Sequence, residues 1–316
     1  LHCSSAASDV YKRQLIIRPK TIELKDVESK ASLSKNESIY SALKLGLKDY
    51  VRKNKFTKVL IGISGGIDSA LTAAICVDAL GAENVIGVAM PSKYNSKDSL
   101  DDAIKLSDNL GITLKTIEIE KLVDDFRETL TNSLNEDLGQ ITDENIQSRV
   151  RGNILMGLSN QTGAMVVSTG NKSEMAVGYS TLYGDLAGGF ALIKDLYKTK
   201  VYELSNYINS ISDAIPKNII TKEPSAELRP NQFDSDSLPD YEVLDKILNL
   251  YIEEDSSSEK IIASGVDPNL VFDVLEKVDR NEYKRKQVAP GVKLTQKAFG
   301  KDRRMPITNT YIRQKE

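Results

Sequence analysis

The chain contains few of the residues on which several common catalytic sites depend. Its 316 residues include one histidine, His2, and two cysteines, Cys3 and Cys76. A single histidine at the start excludes Ser-His-Asp triads and histidine-ligated metals, because both need a positioned imidazole. Two cysteines cannot build a disulfide framework, so we expect a reducing, cytoplasmic compartment. Carboxylates, lysines and hydroxyls must therefore carry any chemistry.

Long hydrophobic runs and a strong excess of either charge are also absent from the sequence. No apolar run approaches the roughly eighteen residues of a membrane helix, and the first thirty residues lack a signal-peptide core. A net charge of −3 and a pI near 5.6 argue against a general nucleic-acid surface, so an anionic ligand needs a local site. We expect a soluble protein that binds neither nucleic acid nor membrane.

A phosphate-binding loop is predicted at residues 64–69, which read Ser-Gly-Gly-Ile-Asp-Ser. The loop joins an apolar, strand-like run to a helix-like run, so backbone N–H groups at the positive end of the helix dipole can bind an anion. Neither a Walker loop nor a dinucleotide fingerprint occurs there. Asp68 falls in the first helical turn, where a carboxylate beside phosphate predicts a bound cation, most economically Mg²⁺. The alternative is an ordinary tight turn in which Ser and Asp cap the helix.

Alternating strand and helix patterns predict an α/β fold with a doubly wound parallel sheet. The predicted strands are 58–64, 84–90, 113–119 and 164–168, and the helices between them are 68–80, 98–110, 121–134 and 144–160. A further helix begins at Ser38, others cover 198–208, 240–254 and 268–279, and glycine-rich residues 178–196 lack periodicity. Ligands of such a sheet bind at the carboxyl ends of its strands.

Several motifs resemble those of NAD synthetases, within the group of enzymes that split ATP between its α and β phosphates. They are, besides the loop, 145–151 (Asn-Ile-Gln-Ser-Arg-Val-Arg), 168–174 (Ser-Thr-Gly-Asn-Lys-Ser-Glu), 183–185 (Tyr-Gly-Asp), 222–228 (Lys-Glu-Pro-Ser-Ala-Glu-Leu) and 301–307 (Lys-Asp-Arg-Arg-Met-Pro-Ile). The resemblance implies a sheet of the adenine-nucleotide α-hydrolase, or ATP-pyrophosphatase, type. We expect residues 38–316 to form this domain with a helical, basic C-terminal extension, and residues 1–37 to be a disordered or non-native start and linker.

The resemblance also implies a ligase of NAD biosynthesis that amidates deamido-NAD through an adenylated intermediate. ATP would be the co-substrate, Mg²⁺ the cofactor and ammonia the nitrogen donor, and AMP and pyrophosphate would be released. A homodimer with the site near its interface is expected. The phosphate loop alone also fits GMP synthetase-like or tRNA-thiolating enzymes, and a non-catalytic adenine-nucleotide binding module is a third alternative.

The resemblance assigns roles to individual residues. ATP would contact the loop and five further residues: Gly62, Ile63, Ser64, Gly65, Gly66, Ile67, Asp68, Ser69, Thr169, Lys198 and Ser225. Deamido-NAD would contact Asn145, Arg149, Glu174, Asp185 and Lys286. Asp68 and Glu174 would bind Mg²⁺, and Asp68, Asp185 and Lys198 would be catalytic.

Purely structural or solvent-exposed roles stay open as alternatives for the charged residues of this set. Glu174 would be a helix N-terminal charge, Lys198 a solvated lysine and Lys286 part of a solvated face. Arg149 and Arg151, both candidate phosphate partners, would form structural pairs with carboxylates.

Two segments depart from the ammonia-dependent members of the family. Those enzymes have Arg-Leu-Pro where this chain has Ala89-Met90-Pro91, and a lysine where it has Leu182. Residues 225–230 and 234–241 look instead like the synthetase half of glutamine-dependent enzymes. We therefore expect a glutaminase domain to be fused to, or lost from, the native protein.

Overall fold

Five parallel strands form the sheet that the alternating pattern predicts, in a computed structural model that describes residues 33–308. The strands are β1 (Val59–Gly62), β2 (Val85–Ala89), β3 (Thr113–Thr116), β4 (Met165–Ser168) and β5 (Phe190–Ala191). Their order is β3-β2-β1-β4-β5, and every neighbouring pair is parallel. Because the winding reverses between β1 and β4, the sheet is doubly wound and its ligand crevice is expected at that point. The predicted fold class is confirmed.

Helices cover both faces of the sheet and continue beyond it. They are α1 (Lys35–Lys53), α2 (Ile67–Leu80), α3 (Lys97–Leu110), α4 (Glu120–Leu134), α5 (Gln140–Thr162), α6 (Lys172–Val177), α7 (Lys198–Ser212), α8 (Lys217–Thr221), α9 (Tyr241–Leu248), α10 (Ser258–Ala263), α11 (Pro268–Arg280) and α12 (Glu282–Arg285). A π-helical turn, Asn249–Glu253, extends α9. Within residues 33–308, no helix is both long and apolar enough to cross a membrane.

Three hydrophobic clusters correspond to the helical layers. On β1, Val59 and Ile61 face the cluster that contains α1, α2 and α7, whereas Leu60 faces the cluster formed with α4 and α5. This alternation is the two-residue period of a strand buried on both faces. Helices α9 to α11 build a third cluster around residues such as Leu244 and Val271. The first cluster also holds Cys76, whose burial raises the pKa of its thiol far above the ordinary value.

The element bounds differ from the predicted ones mainly in the segment 178–196, which was predicted to be irregular. It contains β5, whose Phe190 and Ala191 pair with Val167 and Ser168. Two residues are too few to produce a detectable periodicity, and the preceding glycine, Gly188, lets the chain approach β4 closely. A Cβ added there would lie 3.1 Å from the carbonyl oxygen of Val166. The first helix begins at Lys35 rather than Ser38, and the expectations for residues 1–32 lie outside the described residues.

A buried lysine joins the sheet to the C-terminal helices. Lys172, at the start of α6, is fully buried, and its Nζ lies 2.8 Å from Asp195 Oδ1 and 2.5 Å from Glu253 Oε1. The same Nζ donates hydrogen bonds to Thr295 Oγ1 at 2.6 Å and to the Lys297 carbonyl oxygen at 3.0 Å. A buried charge is tolerated only when it is paired and hydrogen-bonded in this way. The cluster therefore fixes the loop after β4 against Glu253 and residues 295–297.

We predict that Lys172→Met lowers the free energy of unfolding by about 3 kcal/mol or more, because two carboxylates then remain buried without their cation. Lys44→Met serves as the control, since Lys44 forms a half-exposed pair with Asp78 and should cost less than about 1 kcal/mol. Urea denaturation followed by circular dichroism measures both changes. Equal losses in the two variants would contradict the importance assigned to the buried cluster.

Candidate active site

A cleft of about 620 Å³ opens where β1 and β4 end. Its lining includes the phosphate loop, the ends of β2 and β4, and residues 222–228. This is the crevice at which the strand order reverses, so the fold and the predicted motifs agree on its position. The cleft is lined by every residue predicted to contact ATP, namely Gly62, Ile63, Ser64, Gly65, Gly66, Ile67, Asp68, Ser69, Thr169, Lys198 and Ser225.

The phosphate loop leaves the first turn of α2 without a side-chain cap. Gly66 is the N-cap residue, and no side chain hydrogen-bonds the N–H groups that follow it. Ser64 Oγ instead accepts from the Gly66 N–H at 3.2 Å, while Ser69 Oγ donates to the Gly66 carbonyl at 2.9 Å. The hydroxyls thus hold the shape of the loop, and neither Ser nor Asp caps the helix as the alternative predicted. The uncapped N–H groups remain available to an anion.

Gly65 is required by the loop on two grounds. Its φ is +77°, in the left-handed region that favours glycine, and an added Cβ would lie 2.2 Å from the backbone oxygen of Ser99. The N-terminal turn of α3, which contains Ser99, therefore packs directly on the loop. A larger residue would have to displace backbone, which is costly.

The charged centre of the cleft joins three loops of the sheet. Lys198 Nζ lies 2.5 Å from Asp68 Oδ2 and 3.4 Å from Glu174 Oε1. Asp68 Oδ1 accepts a hydrogen bond from Asn171 Nδ2 at 2.9 Å. Lys198 is only 3% exposed, so the alternative of a solvated lysine is wrong. Burial lowers the pKa of this amine, but the charges of Asp68 and Glu174 outweigh burial and raise it above the ordinary value.

Glu174 combines a structural and an electrostatic role. Its backbone N–H donates to Asn171 Oδ1 at 3.0 Å, and its carboxylate accepts from the Asn171 N–H at 3.4 Å, which forms a capping box on α6. Burial, and then the negative charge of Asp68, raise the pKa of Glu174 to about 8, although Lys198 opposes the shift. The helix N-terminal charge predicted as the alternative is thus present together with the contact to Lys198. Two neighbouring carboxylates that repel each other favour a cation.

Asn145 and Asp185 both contact Thr181 on one side of the cleft. Thr181 Oγ1 donates to Asn145 Oδ1 at 2.7 Å, and the Thr181 N–H donates to Asp185 Oδ1 at 2.7 Å. The surrounding protein raises the pKa of Asp185 to about 6, although the residue is exposed to the cleft. Lys284 also lines this side, and its Nζ donates to the carbonyls of Gly178 and Ser180 at 2.7 and 2.8 Å.

Of three predicted basic residues, Arg149 and Lys286 lie outside the cleft and Arg151 lines it. Arg149 is exposed, donates to the Leu182 carbonyl at 3.2 Å and borders a separate apolar cavity. Lys286 is also exposed and does not line the cleft. Arg151 lines the cleft and donates to the Met90 carbonyl at 3.0 Å and to Asn95 Oδ1 at 3.1 Å. Burial lowers the pKa of Arg151 to about 10.

Residues 222–228 are held over the cleft by Glu227. Its carboxylate accepts hydrogen bonds from Ser99 Oγ at 2.6 Å, from Asn95 Nδ2 at 2.7 Å and from Lys222 Nζ at 3.0 Å. Ser225 Oγ accepts from the Glu227 N–H at 3.1 Å and so shapes the same turn. Glu227 therefore connects the covering segment to the helix end that packs on Gly65.

Asp234 and Tyr241 are site residues that the sequence analysis did not single out. Asp234 lines the cleft, is 5% exposed and accepts a hydrogen bond from Tyr241 Oη at 2.7 Å. The Tyr241 ring centroid lies 5.2 Å from Lys198 Nζ, a cation–π distance. Burial raises the pKa of Asp234. Both residues belong to the segment 234–241, which was quoted as a motif, but no residue in it was assigned a role.

A comparison with protein-family models matches residues 39–288 to NAD synthase. The chain belongs to this family. It is 55% identical, over 279 residues, to the glutamine-dependent NAD(+) synthetase of Thermotoga maritima, with 88% of this chain and 48% of that protein covered. The chain thus spans about half the length of the curated relatives it matches.

Solved structures of the family share the fold. The glutamine-dependent NAD+ synthetase of Acinetobacter baumannii, in complex with ADP, is 48% identical with a TM-score of 0.61, over 90% of this chain and 52% of that one. The NH3-dependent NAD synthetase of Campylobacter jejuni, in complex with the nitrate ion, is 29% identical with a TM-score of 0.64, over 80% of this chain and 96% of that one. The family resemblance stated from the motifs is confirmed.

We predict that Gly65→Ala weakens ATP binding at least tenfold, because the new Cβ must displace the start of α3 and distort the loop. Gly163→Ala is the matched control: Gly163 also has a positive φ, +69°, but an added Cβ would meet no atom within 4 Å. The control should lose only about 1 kcal/mol of stability from backbone strain and keep its ATP affinity. Isothermal titration calorimetry measures both affinities, and unchanged binding in Gly65→Ala would refute the assignment of the loop.

Proposed function

We propose that this chain is the synthetase part of an NAD synthetase and converts deamido-NAD to NAD with ATP and ammonia. The observation that carries the proposal is the cluster of Asp68, Glu174 and Lys198 beside an uncapped phosphate loop. Membership of the NAD synthase family supports the choice of substrate.

The proposed reaction has two steps that balance in atoms and charge. The pyridine carboxylate of deamido-NAD attacks the α phosphorus of ATP, which forms an acyl adenylate and releases pyrophosphate. Ammonia then attacks the acyl carbon, AMP leaves, and one proton is lost to give the amide. Adenylation is needed because a carboxylate oxygen is a poor leaving group, whereas AMP is a good one.

In the first step, the loop and Lys198 stabilise negative charge. The uncapped N–H groups of α2 bind the phosphates, as helix N-termini do. Lys198, at the start of α7, lies beside Asp68 of α2 and offsets the charge that develops on pyrophosphate as it leaves. Because its amine is buried and held by two carboxylates, the lysine is positioned before ATP arrives.

The residues present fit Mg²⁺, which we propose as the cofactor. Asp68 and Glu174 supply the carboxylate oxygens that this ion prefers, and Asp68 uses only part of its acceptor capacity on Asn171 and Lys198. Among residues 33–308, no cluster of three or more His, Cys, Asp and Glu could hold a metal. ATP phosphate oxygens would therefore complete the coordination shell. The bound ion would neutralise phosphate charge during adenylation.

We assign deamido-NAD to the side of the cleft formed by Asn145, Asp185 and Glu174. Arg149 and Lys286 lie outside the cleft of this chain, so their predicted contacts with the dinucleotide require a second copy. A homodimer with the site near its interface would bring these exposed cations to the partner's cleft. This arrangement explains why basic residues predicted to bind an anion are exposed to solvent here.

The nitrogen source of the described part of the chain is proposed to be free ammonia. The Thermotoga maritima relative is named glutamine-dependent, and the chain covers about half its length. Within residues 33–308, the free cysteine is Cys76, which belongs to α2, is buried in the core and cannot act as a glutaminase nucleophile.

We predict that the purified chain forms NAD with ammonium and forms none with ammonia-free glutamine. The rate should rise with pH as the fraction of neutral ammonia increases. Coupled detection of NAD, with each donor tested separately, makes the measurement. Turnover with glutamine at a rate comparable to that with ammonium would contradict the proposal that free ammonia is the nitrogen source.

The choice of substrate is tested by pyrophosphate release. Deamido-NAD should trigger release from ATP, whereas xanthosine monophosphate and tRNA, the acceptors of the two alternative enzyme classes, should not. If no acceptor produces AMP although ATP binds, the chain is a binding module rather than an enzyme.

We predict that Asp68→Asn lowers the rate of AMP formation by at least about 100-fold, since loss of a metal-binding carboxylate removes several kcal/mol of charge stabilisation. Asp78→Asn, on the same helix but at the surface, should retain wild-type turnover. Rates are measured at saturating Mg²⁺ so that weak metal binding is not limiting. Near wild-type turnover of Asp68→Asn would overturn the role assigned to this carboxylate.

A further inference from the structure

Lys198 occupies the first position of α7, and no local side chain caps this helix. The N-cap residue is Tyr197, which makes no side-chain hydrogen bond to the first turn. The first N–H groups are bound instead by residues from two distant helices. Ser173 Oγ, on α6, accepts from the Lys198 N–H at 2.9 Å, and Asp245 Oδ2, on α9, accepts from the Thr199 N–H at 2.9 Å.

Ser173 and Asp245 form a single unit. The Ser173 hydroxyl donates to Asp245 Oδ1 and accepts from the Lys198 N–H. The serine therefore links the backbone of Lys198 to the carboxylate of Asp245. Ser173 is fully buried and Asp245 is 6% exposed. A carboxylate at a helix N-terminus is also favoured by the helix dipole. The backbone N–H groups of Lys198 and Thr199 are therefore held by two acceptors, the Ser173 hydroxyl and the charged Asp245 carboxylate.

Neither Ser173 nor Asp245 lines the cleft. Both contact the backbone at the start of α7. Asp245 is on the same face of α9 as Tyr241, one helical turn away. The Tyr241 ring lies 5.2 Å from Lys198 Nζ. Helix α9 therefore supports the lysine at its backbone and beside its ammonium group.

We propose that Asp245, acting through Ser173 and the start of α7, is a positioning residue for Lys198. The inference rests on the proposed function, because it concerns the lysine that stabilises the departing pyrophosphate. Asp245 binds no reactant; it holds the origin of a long side chain whose tip must meet the phosphates. A displacement of about 1 Å at such a group can cost on the order of 100-fold in rate.

The prediction concerns Asp245→Asn and Ser173→Ala. Asparagine keeps the size of aspartate but replaces one acceptor oxygen with a donor, so it cannot accept from both Ser173 and Thr199. We expect kcat to fall between about 10- and 100-fold, with the KM for ATP within about twofold of wild type, since the loop itself is intact. Ser173→Ala keeps the charge of Asp245 but removes the hydroxyl that links it to the Lys198 backbone. It should also lower kcat.

Asp279→Asn is the matched control, because Asp279 is similarly buried in the C-terminal helices and accepts a hydrogen bond from Tyr251 Oη at 2.7 Å. It should lose stability without losing turnover. A double-mutant cycle then separates positioning from folding: in a Lys198→Ala background, single-turnover AMP formation should change less than about twofold on adding Asp245→Asn.

Two results would overturn the inference. One is an equal loss in both backgrounds, and the other is a kcat of Asp245→Asn as high as that of the Asp279→Asn control. Wild-type NAD formation in the same assay reports separately on the proposed function. Crystal structures of wild type and Asp245→Asn test the inference without turnover: Lys198 Nζ should move away from Asp68, and an unmoved ammonium group would refute it.

Discussion

The ion pair between Lys198 and Asp68 is the interaction on which the site depends. Asp68 follows β1, Asn171 follows β4, and Lys198 follows β5, so the pair connects the chain segments on both sides of the point where the sheet winding reverses. A pair held in this way is expensive to desolvate, and it is retained where it organises neighbouring groups. Here it holds a cation beside the uncapped first turn of α2, in a cleft of about 620 Å³.

The supports of this pair extend well beyond the cleft. Lys172, one residue after Asn171, is buried against Asp195 and Glu253, and Asp195 in turn accepts the Leu294 N–H at 2.7 Å. The C-terminal helices therefore do more than cover a hydrophobic face. Together with residues 294–297, they hold both ends of the segment that carries Glu174 and Lys198.

Local sequence patterns were sufficient to predict those parts of the structure that depend on residues close together in the sequence. The phosphate loop could be predicted because a strand, two glycines and a helix follow each other directly, and the first four strands could be predicted from their apolar runs. Asp245 could not be assigned a role, because it contacts Ser173 and Thr199, which lie 72 and 46 residues away in the sequence. Asp234 contacts Tyr241, only seven residues away, but its position in the cleft depends on the fold. Strand β5 was too short to show a period. Arg149 and Lys286 were predicted to contact deamido-NAD, and both are exposed outside the cleft of this chain.

The central claim is that this cluster promotes attack of a carboxylate on the α phosphorus of ATP. The most direct measurement uses deamido-NAD labelled with ¹⁸O in its pyridine carboxylate, with mass spectrometry of the products after turnover with ammonium. An acyl adenylate transfers one carboxylate oxygen to AMP, so the account predicts one ¹⁸O in AMP and none in pyrophosphate. Unlabelled AMP, or label in pyrophosphate, would contradict it.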